Sequence, residues 1–415
     1  MAGIYLLFSF LFLIGSASSS DSNSRQWTRF RGADGHGIDT IGIAPTSWEE
    51  SDYLWNIVLP GNGHASPVVW DDLIFVTSSD DESDLGYVMA FNEQNGDLLW
   101  QKEFKVTDLT MHKDNNLAAP SPAVDGSRVY VIWYGKEHTS LAALSHEGSL
   151  QWQAEFGGIE ARHGGGSSLM LTDKYVIFTR EQEETSSQKS SWVAVNKQTG
   201  KTAWELERES AARNSFSTPI LVHNNNSEAL LIFTSEAHGF TAVDPESGEV
   251  LWERKSLLTH RVVASPICAN GMIVACRKGE TVVLEVDAYL TPVADSARYS
   301  FPPNLSPYVP TPIVVGELLY LFMDNGTVAC VELASGKLLW KERPAGPIYG
   351  SPICVSGNLY CMTKEGKVIV IRAHATYELL GVHALGDESF STPVMSTSGM
   401  VFRTFTRLMM LGNSG

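Results

Sequence analysis

A Ser-Pro or Thr-Pro dipeptide, followed by paired apolar runs and a Gly-x-x-x-Trp close, recurs along this chain and constrains its fold more than any other feature. The openings are Ser66-Pro67, Ser121-Pro122, Ser167-Ser168 (proline lost), Thr218-Pro219, Ser265-Pro266, Thr311-Pro312, Ser351-Pro352 and Thr392-Pro393. Eight openings spaced 40 to 55 residues apart have the period of stacked four-stranded blades. In the unit opening at Thr311, strand A is expected at about 312–315, B at 318–323, C at 327–333 and D at 337–342. Asn325-Gly326 and Ser335-Gly336 supply the hairpin turns, because glycine accepts the positive φ those turns need. Proline can open strand A because the first strand position can do without an N–H.

The closing tryptophan follows its turn glycine by four residues in Gly96/Trp100, Gly148/Trp152, Gly200/Trp204, Gly248/Trp252 and Gly336/Trp340. A flat ring at one fixed outer-strand position suits docking between neighbouring blades. The units opening at 265 and 351 have lost both glycine and tryptophan. The last unit has room for three strands only, and residues 53–59 read as an unpaired strand D that can complete it, with Trp55 in the docking role. The expected fold is therefore all-β: an eight-bladed β-propeller over 53–415, its sheet edges removed by closure with an N-terminal strand. Residues 20–52 are expected to lie outside the ring as an extension.

Residues 4–14 form an apolar run followed by Gly15-Ser16-Ala17-Ser18, the pattern of a cleaved export signal over 1–19. The run is too short for an ordinary membrane span, and no other segment could cross a bilayer. No cysteine stands near the cleavage zone, so no lipid anchor is expected, and the mature chain is placed in the periplasm or outside the cell. The 47 acidic and 30 basic residues leave a net charge of −17, which argues against nucleic-acid binding. The five cysteines, Cys268, Cys276, Cys330, Cys354 and Cys361, all fall in apolar strand segments and read as buried core residues.

The unit Ala242-Val-Asp-Pro-Glu-Ser-Gly-Glu-Val-Leu-Trp252 and its relatives resemble the repeat of pyrroloquinoline-quinone-type propellers over roughly 53–412. That superfamily includes quinoprotein alcohol dehydrogenases, BamB-type outer-membrane assembly proteins and exported bacterial propellers of unassigned role. The segment Trp27-Thr-Arg-Phe-Arg-Gly-Ala-Asp-Gly-His-Gly37, followed by Gly61-Asn-Gly-His-Ala-Ser-Pro67, is similar to the third group, of the planctomycete type. The resemblance implies an eight-bladed propeller. Its enzyme branch uses a vicinal disulfide, a calcium held by acidic and amide side chains, and a catalytic Asp; the adjacent cysteines are absent here and no motif matches the rest.

In this topology the D–A and B–C connections share one end of the ring, and they hold the long insertions 78–86, 105–119, 180–191 and 253–263. The A–B and C–D turns at the other end read as uniformly short. Insertions gathered on one face mark the binding face of a repeat protein. Residues just before strand A should crowd the central channel there: His64, His112, His163, Arg213, His260, Arg261, Tyr308, Tyr349 and Phe390. They form an expected polar, partly cationic funnel for a small anionic or aromatic ligand, or for a partner's acidic loop. The spacing of the histidines gives no support for a metal site, and no hydrolase, zinc-protease or redox-cysteine motif occurs. The expected function is a monomeric, non-catalytic scaffold that binds a cell-envelope protein or small ligand, without cofactor. The alternative is an oxidoreductase with pyrroloquinoline quinone and calcium, or another metal, at the funnel.

Overall fold

The computed structural model describes residues 25–80, 82–106 and 109–413; the export signal read at 1–19 lies outside the described residues. Eight antiparallel sheets stand side by side, each with four propeller strands in the sequential order A–B–C–D, A innermost. Strand A spans Val68–Trp70, Ala123–Val124, Met170–Leu171, Ile220–His223, Ile267–Ala269, Ile313–Val315, Ile353–Val355 and Val394–Met395 in blades 1 to 8. The only helices among the described residues are three-residue 3-10 turns. Blade 8 takes its D strand from Tyr53–Val58, which pairs antiparallel with Arg407–Gly412 and sets Trp55 opposite Met410. Strands B and C carry the core: Phe75, Val131, Ile177, Ile232, Leu321 and Val401 are all buried.

The Ser/Thr of each opening does more than start a strand. Its backbone N–H donates to the side-chain oxygen of the corresponding residue one blade on, at 2.9–3.1 Å: Ser66 to Ser121, Ser121 to Ser168, Ser168 to Thr218, Thr218 to Ser265, Ser265 to Thr311, Thr311 to Ser351, Ser351 to Thr392, and Thr392 back to Ser66. The eight bonds close a circle around the channel. The circle corrects the third opening by one residue, because Ser168 is the member and Leu169 stands in the proline position.

A second series of contacts runs around the rim at seven of the eight blade junctions, the one between blades 7 and 8 lacking it among the described residues. Each D-strand indole N–H donates to a carbonyl in the C–D turn of the next blade: Trp55 to Glu93, Trp100 to His146, Trp152 to Lys197, Trp204 to Pro245, Trp252 to Leu290 and Trp340 to His374, at 2.6–3.1 Å. The repeated glycine therefore serves the tryptophan of the preceding blade. Gly248 has φ of 75°, and a Cβ there would lie 2.7 Å from Cδ2 of Trp204, so both backbone and space require glycine. Blade 5, which lost the tryptophan, substitutes Tyr299, whose hydroxyl donates to the carbonyl of Leu333 in blade 6. Blade 5 also departs from the uniformly short turns expected at this end, since its C–D connection runs from 286 to 298.

The N-terminal segment does not lie outside the ring. Gln26–Trp27 pairs antiparallel with the inner edge of Val68–Trp70, and Ile38–Asp39 pairs parallel with Ile353–Val355. Strand A runs from the D–A end to the A–B end. The segment therefore enters the channel from the A–B end, turns near 29–37 and leaves the same way. Backbone bonds join Thr28 to Val124 in blade 2, and His36 Nε2 meets the Cys268 carbonyl in blade 5 at 2.8 Å. The segment is a plug.

Thr311→Val keeps the shape of a member of the inner circle but removes the acceptor of the buried Ser265 N–H. It is expected to lower stability by about 1–3 kcal/mol, read as a fall in the urea midpoint. An unchanged midpoint would show that the circle is not a stabilising element.

Candidate functional site

The inner circle forms the base of a cavity of about 410 Å³ at the D–A/B–C end of the channel, and all eight of its hydroxyl residues line it. The D–A connections deliver most of the remaining wall, because each must descend into the channel to start an innermost strand. Eight of the nine expected residues line this one cavity: His64, His112, His163, Arg213, Arg261, Tyr308, Tyr349 and Phe390. His260 does not. It is exposed and its ring contacts Thr259.

One side of the cavity is cationic. The Arg261 guanidinium lies over the Phe216 ring at 4.5 Å, donates from Nε to the Asn214 carbonyl at 2.8 Å, and reaches the Tyr308 hydroxyl from Nη1 at 3.3 Å. Its Nη2 is buried without a partner. Arg213 and Lys278 also line this side. His163 stacks on His112 with ring centroids 5.4 Å apart. Burial, with the charges of Arg261 and Arg213, pulls the His163 imidazole down to about 4.

The opposite side is aromatic. His64 stacks on Phe390 at 4.4 Å, and Phe390 meets Tyr349 edge-on at 5.1 Å. Burial, reinforced by the Arg403 charge, pulls His64 down to about 3, so both imidazoles are neutral at neutral pH. Residues 109–119 of the insertion span the mouth. Asn115 Nδ2 ties it to the carbonyls of His163 and Gly165 in blade 3. Asp114 crosses to the Tyr349 hydroxyl and to Lys364 in blade 7, each at 3.4 Å.

Sequence reasoning missed Asp114, Phe216, Lys278 and Phe30. Lys278 sits in a B–C turn, outside the residues that directly precede strand A. The B–C ends also abut the channel mouth, a signal available from the topology. Phe30 belongs to the plug, whose insertion depends on pairing across the whole chain.

The quinone-and-calcium site of the superfamily's enzyme branch does not fit these residues. Calcium takes six to eight oxygen ligands, carboxylates prominent among them, and Asp114 is the single carboxylate lining the cavity among the described residues. Asp114 is already paired with Lys364, while Arg213, Arg261 and Lys278 oppose a bound cation. His64 lies against Phe390 and Phe405, apart from the stacked His112 and His163. Among the described residues no group of three or more His, Cys, Asp or Glu side chains could hold a metal ion. All five cysteines are unpaired, and burial raises every one of their thiols.

A family model described as outer membrane protein assembly factor BamB matches residues 46–156, 84–291 and 294–379. The outer membrane protein assembly factor BamB of Alteromonas naphthalenivorans is 24% identical over 283 residues, which is 66% of this chain and 54% of that protein's length. The chain thus spans about half the length of that relative. Among solved structures, a europium-containing methanol dehydrogenase matches with a TM-score of 0.70 at 11% identity, covering 92% of this chain and 88% of its own. BamB from Moraxella catarrhalis matches with a TM-score of 0.60 at 12% identity, covering 86% and 99%. At such identities the structural likeness speaks to the fold alone.

The neutral histidines give a pH signature. In the unfolded chain they protonate near the ordinary value of 6.5, and in the folded chain near 3 for His64 and 4 for His163. Their contribution to stability is therefore full above about pH 6.5 and is lost as pH falls toward 4 and then 3. Nitrogen-15 NMR at pH 5.5 is expected to show both rings neutral in the folded protein; a charged His64 at that pH would contradict the cavity's burial and field.

Proposed function

The chain belongs to the BamB family of outer membrane protein assembly factors, PQQ-like β-propellers, and on that premise we propose that it is a non-catalytic scaffold of the cell envelope. It works in the periplasm or at the cell exterior and engages an envelope protein through its D–A/B–C face. The observation that carries this reading is the asymmetry of the two ends. The strap that spans the cavity, residues 109–119, and the connections at 181–189 and 255–266 all stand at one end. The plug enters from the other. A partner loop carrying acidic and aromatic side chains matches the basic and aromatic wall of the mouth.

No helix among the described residues is long and apolar enough to cross a membrane. The net charge of −17 favours a soluble particle with locally complementary contacts over a broad anionic partner.

Cells lacking this chain are expected to accumulate less outer-membrane β-barrel protein, and the intact chain should restore it. Lys113→Glu with His112→Glu, two exposed changes at the strap, should fail to restore it. Gln198→Glu with Thr199→Glu, at a C–D turn on the opposite end, should succeed. Equal restoration by both pairs, or no effect of removing the chain, would overturn the reading.

A further inference from the structure

The tip of the plug, residues 27–37, is a part of the chain that the scaffold reading leaves without a task. It carries two arginines, Arg29 and Arg31, and both are almost fully buried. Arg25, in the same segment, is paired with Asp39 at 3.0 Å. Arg29 and Arg31 have no such partner among the described residues. Asp34 is the one carboxylate whose charge acts on both, but it is mostly exposed and belongs to His36. The His36 N–H donates to it at 2.9 Å, and His36 Nδ1 lies 3.3 Å from its other oxygen. A buried charge without a counter-charge is among the costliest arrangements in a protein interior. Burial lowers both guanidiniums but leaves them charged at neutral pH.

Their hydrogen bonds fall short in the same way. A guanidinium has five N–H donors. Arg29 donates from Nε to the Ala33 carbonyl, and Arg31 from Nη2 to the His36 carbonyl. Arg29 Nη2 and Arg31 Nε and Nη1 are buried and have no partner among the described residues. The carbonyls of the turn are already engaged: Arg29 with the Gly32 N–H, Gly32 with Gly35, Arg31 with Gly37, and Gly37 with Cys354 in blade 7.

The turn is shaped to hold these two groups inward. Gly35 and Gly37 have φ of 78° and 75°, and a Cβ would lie 2.7 Å from Arg29 Nη2 in the first case and 3.0 Å from Arg31 Nε in the second. Both positions therefore require glycine. The Gly37 bond to Cys354 and the His36 contact to the Cys268 carbonyl fix the turn to blades 7 and 5. Phe30, between the arginines, lines the central cavity, and neither arginine does. The unpaired charge is thus a place of its own within the plug.

We propose that the tip of the plug binds one small inorganic anion of halide size, chloride in ordinary salt. The ion accepts hydrogen bonds from the unpartnered nitrogens of Arg29 and Arg31 and serves as their counter-ion. A halide accepts from several directions at once and carries no hydrogen that would need an acceptor among carbonyls already engaged. The ion is enclosed together with the plug, so its binding and the seating of the plug are coupled. The site goes beyond the envelope-scaffold reading and does not depend on it.

The test starts from the mature protein purified and crystallised with sodium bromide as its only halide salt. An anomalous difference map at the bromine edge is expected to show a peak within about 3.5 Å of an unpartnered nitrogen of Arg29 or Arg31. In parallel, replacing gluconate by chloride at a constant ionic strength of about 0.15 M should raise the melting temperature by about 2–4 °C, because the ion binds the folded chain alone. Arg31→Met removes one charge together with its need for a counter-ion, and should abolish that rise. If this variant does not fold, the bromide map of the unaltered chain still decides. Water oxygens alone at these nitrogens, or a rise that persists in folded Arg31→Met, would overturn the proposal. A bromide peak without chloride-dependent melting marks an adventitious ion only and overturns it as well. None of these outcomes touches the restoration of outer-membrane proteins, so failure of the site and failure of the scaffold role are separable.

Discussion

The circle of eight N–H to Oγ bonds is the constraint on which this molecule turns. A propeller blade alone is a small sheet with two open edges, and the inner edge is where eight short strands must converge without clashing. Side-chain oxygen does there what a further strand would do in an ordinary sheet: it satisfies the first N–H of each innermost strand. Serine and threonine suit the position because the oxygen sits one carbon from the backbone and reaches the neighbour at about 3 Å. Proline follows because the next residue has no lateral partner, and a missing N–H leaves nothing orphaned.

This is why the fold was legible in the sequence. The two repeated signals, Ser/Thr-Pro and Gly-x-x-x-Trp, are the inner circle and the rim contacts written out residue by residue, and each reports a contact between adjacent blades. Ser168 shows where legibility ends. With proline lost and two serines in a row, only the closed circle tells which hydroxyl belongs to it. Tyr299 shows the same at the rim, where a different aromatic side chain with a hydroxyl donor keeps the contact after tryptophan is gone. A pattern search keyed to tryptophan passes over it.

The plug was not legible, for a different reason. Its strands are two residues each, and they pair with edges tens to hundreds of residues away. No periodicity marks a strand that short. Its arginines Arg29 and Arg31 are 1% and 0% exposed. They are held by the carbonyls of Ala33 and His36, at 3.0 and 2.9 Å. Burial lowers them only to about 10 and about 9, so they remain charged. Gly35 is required beside them, since a Cβ would lie 2.7 Å from Arg29 Nη2.

The plug and the cavity together invert the electrostatics of the whole. The chain carries −17 overall, yet its axis gathers Arg29, Arg31, Arg403, Arg213, Arg261 and Lys278. These two fields act at different ranges. At physiological salt the screening length is about 8 Å, so an approaching polyanion meets mainly the acidic exterior and is repelled. A small anion within the mouth sits closer than that to the guanidiniums, in a setting where water and salt screen poorly. Burial is the main cause of the depressed imidazoles of His64 and His163, and the charges of Arg403 and Arg261 add to it. An acidic shell around a basic axis is a field whose shape favours compact anions over extended ones.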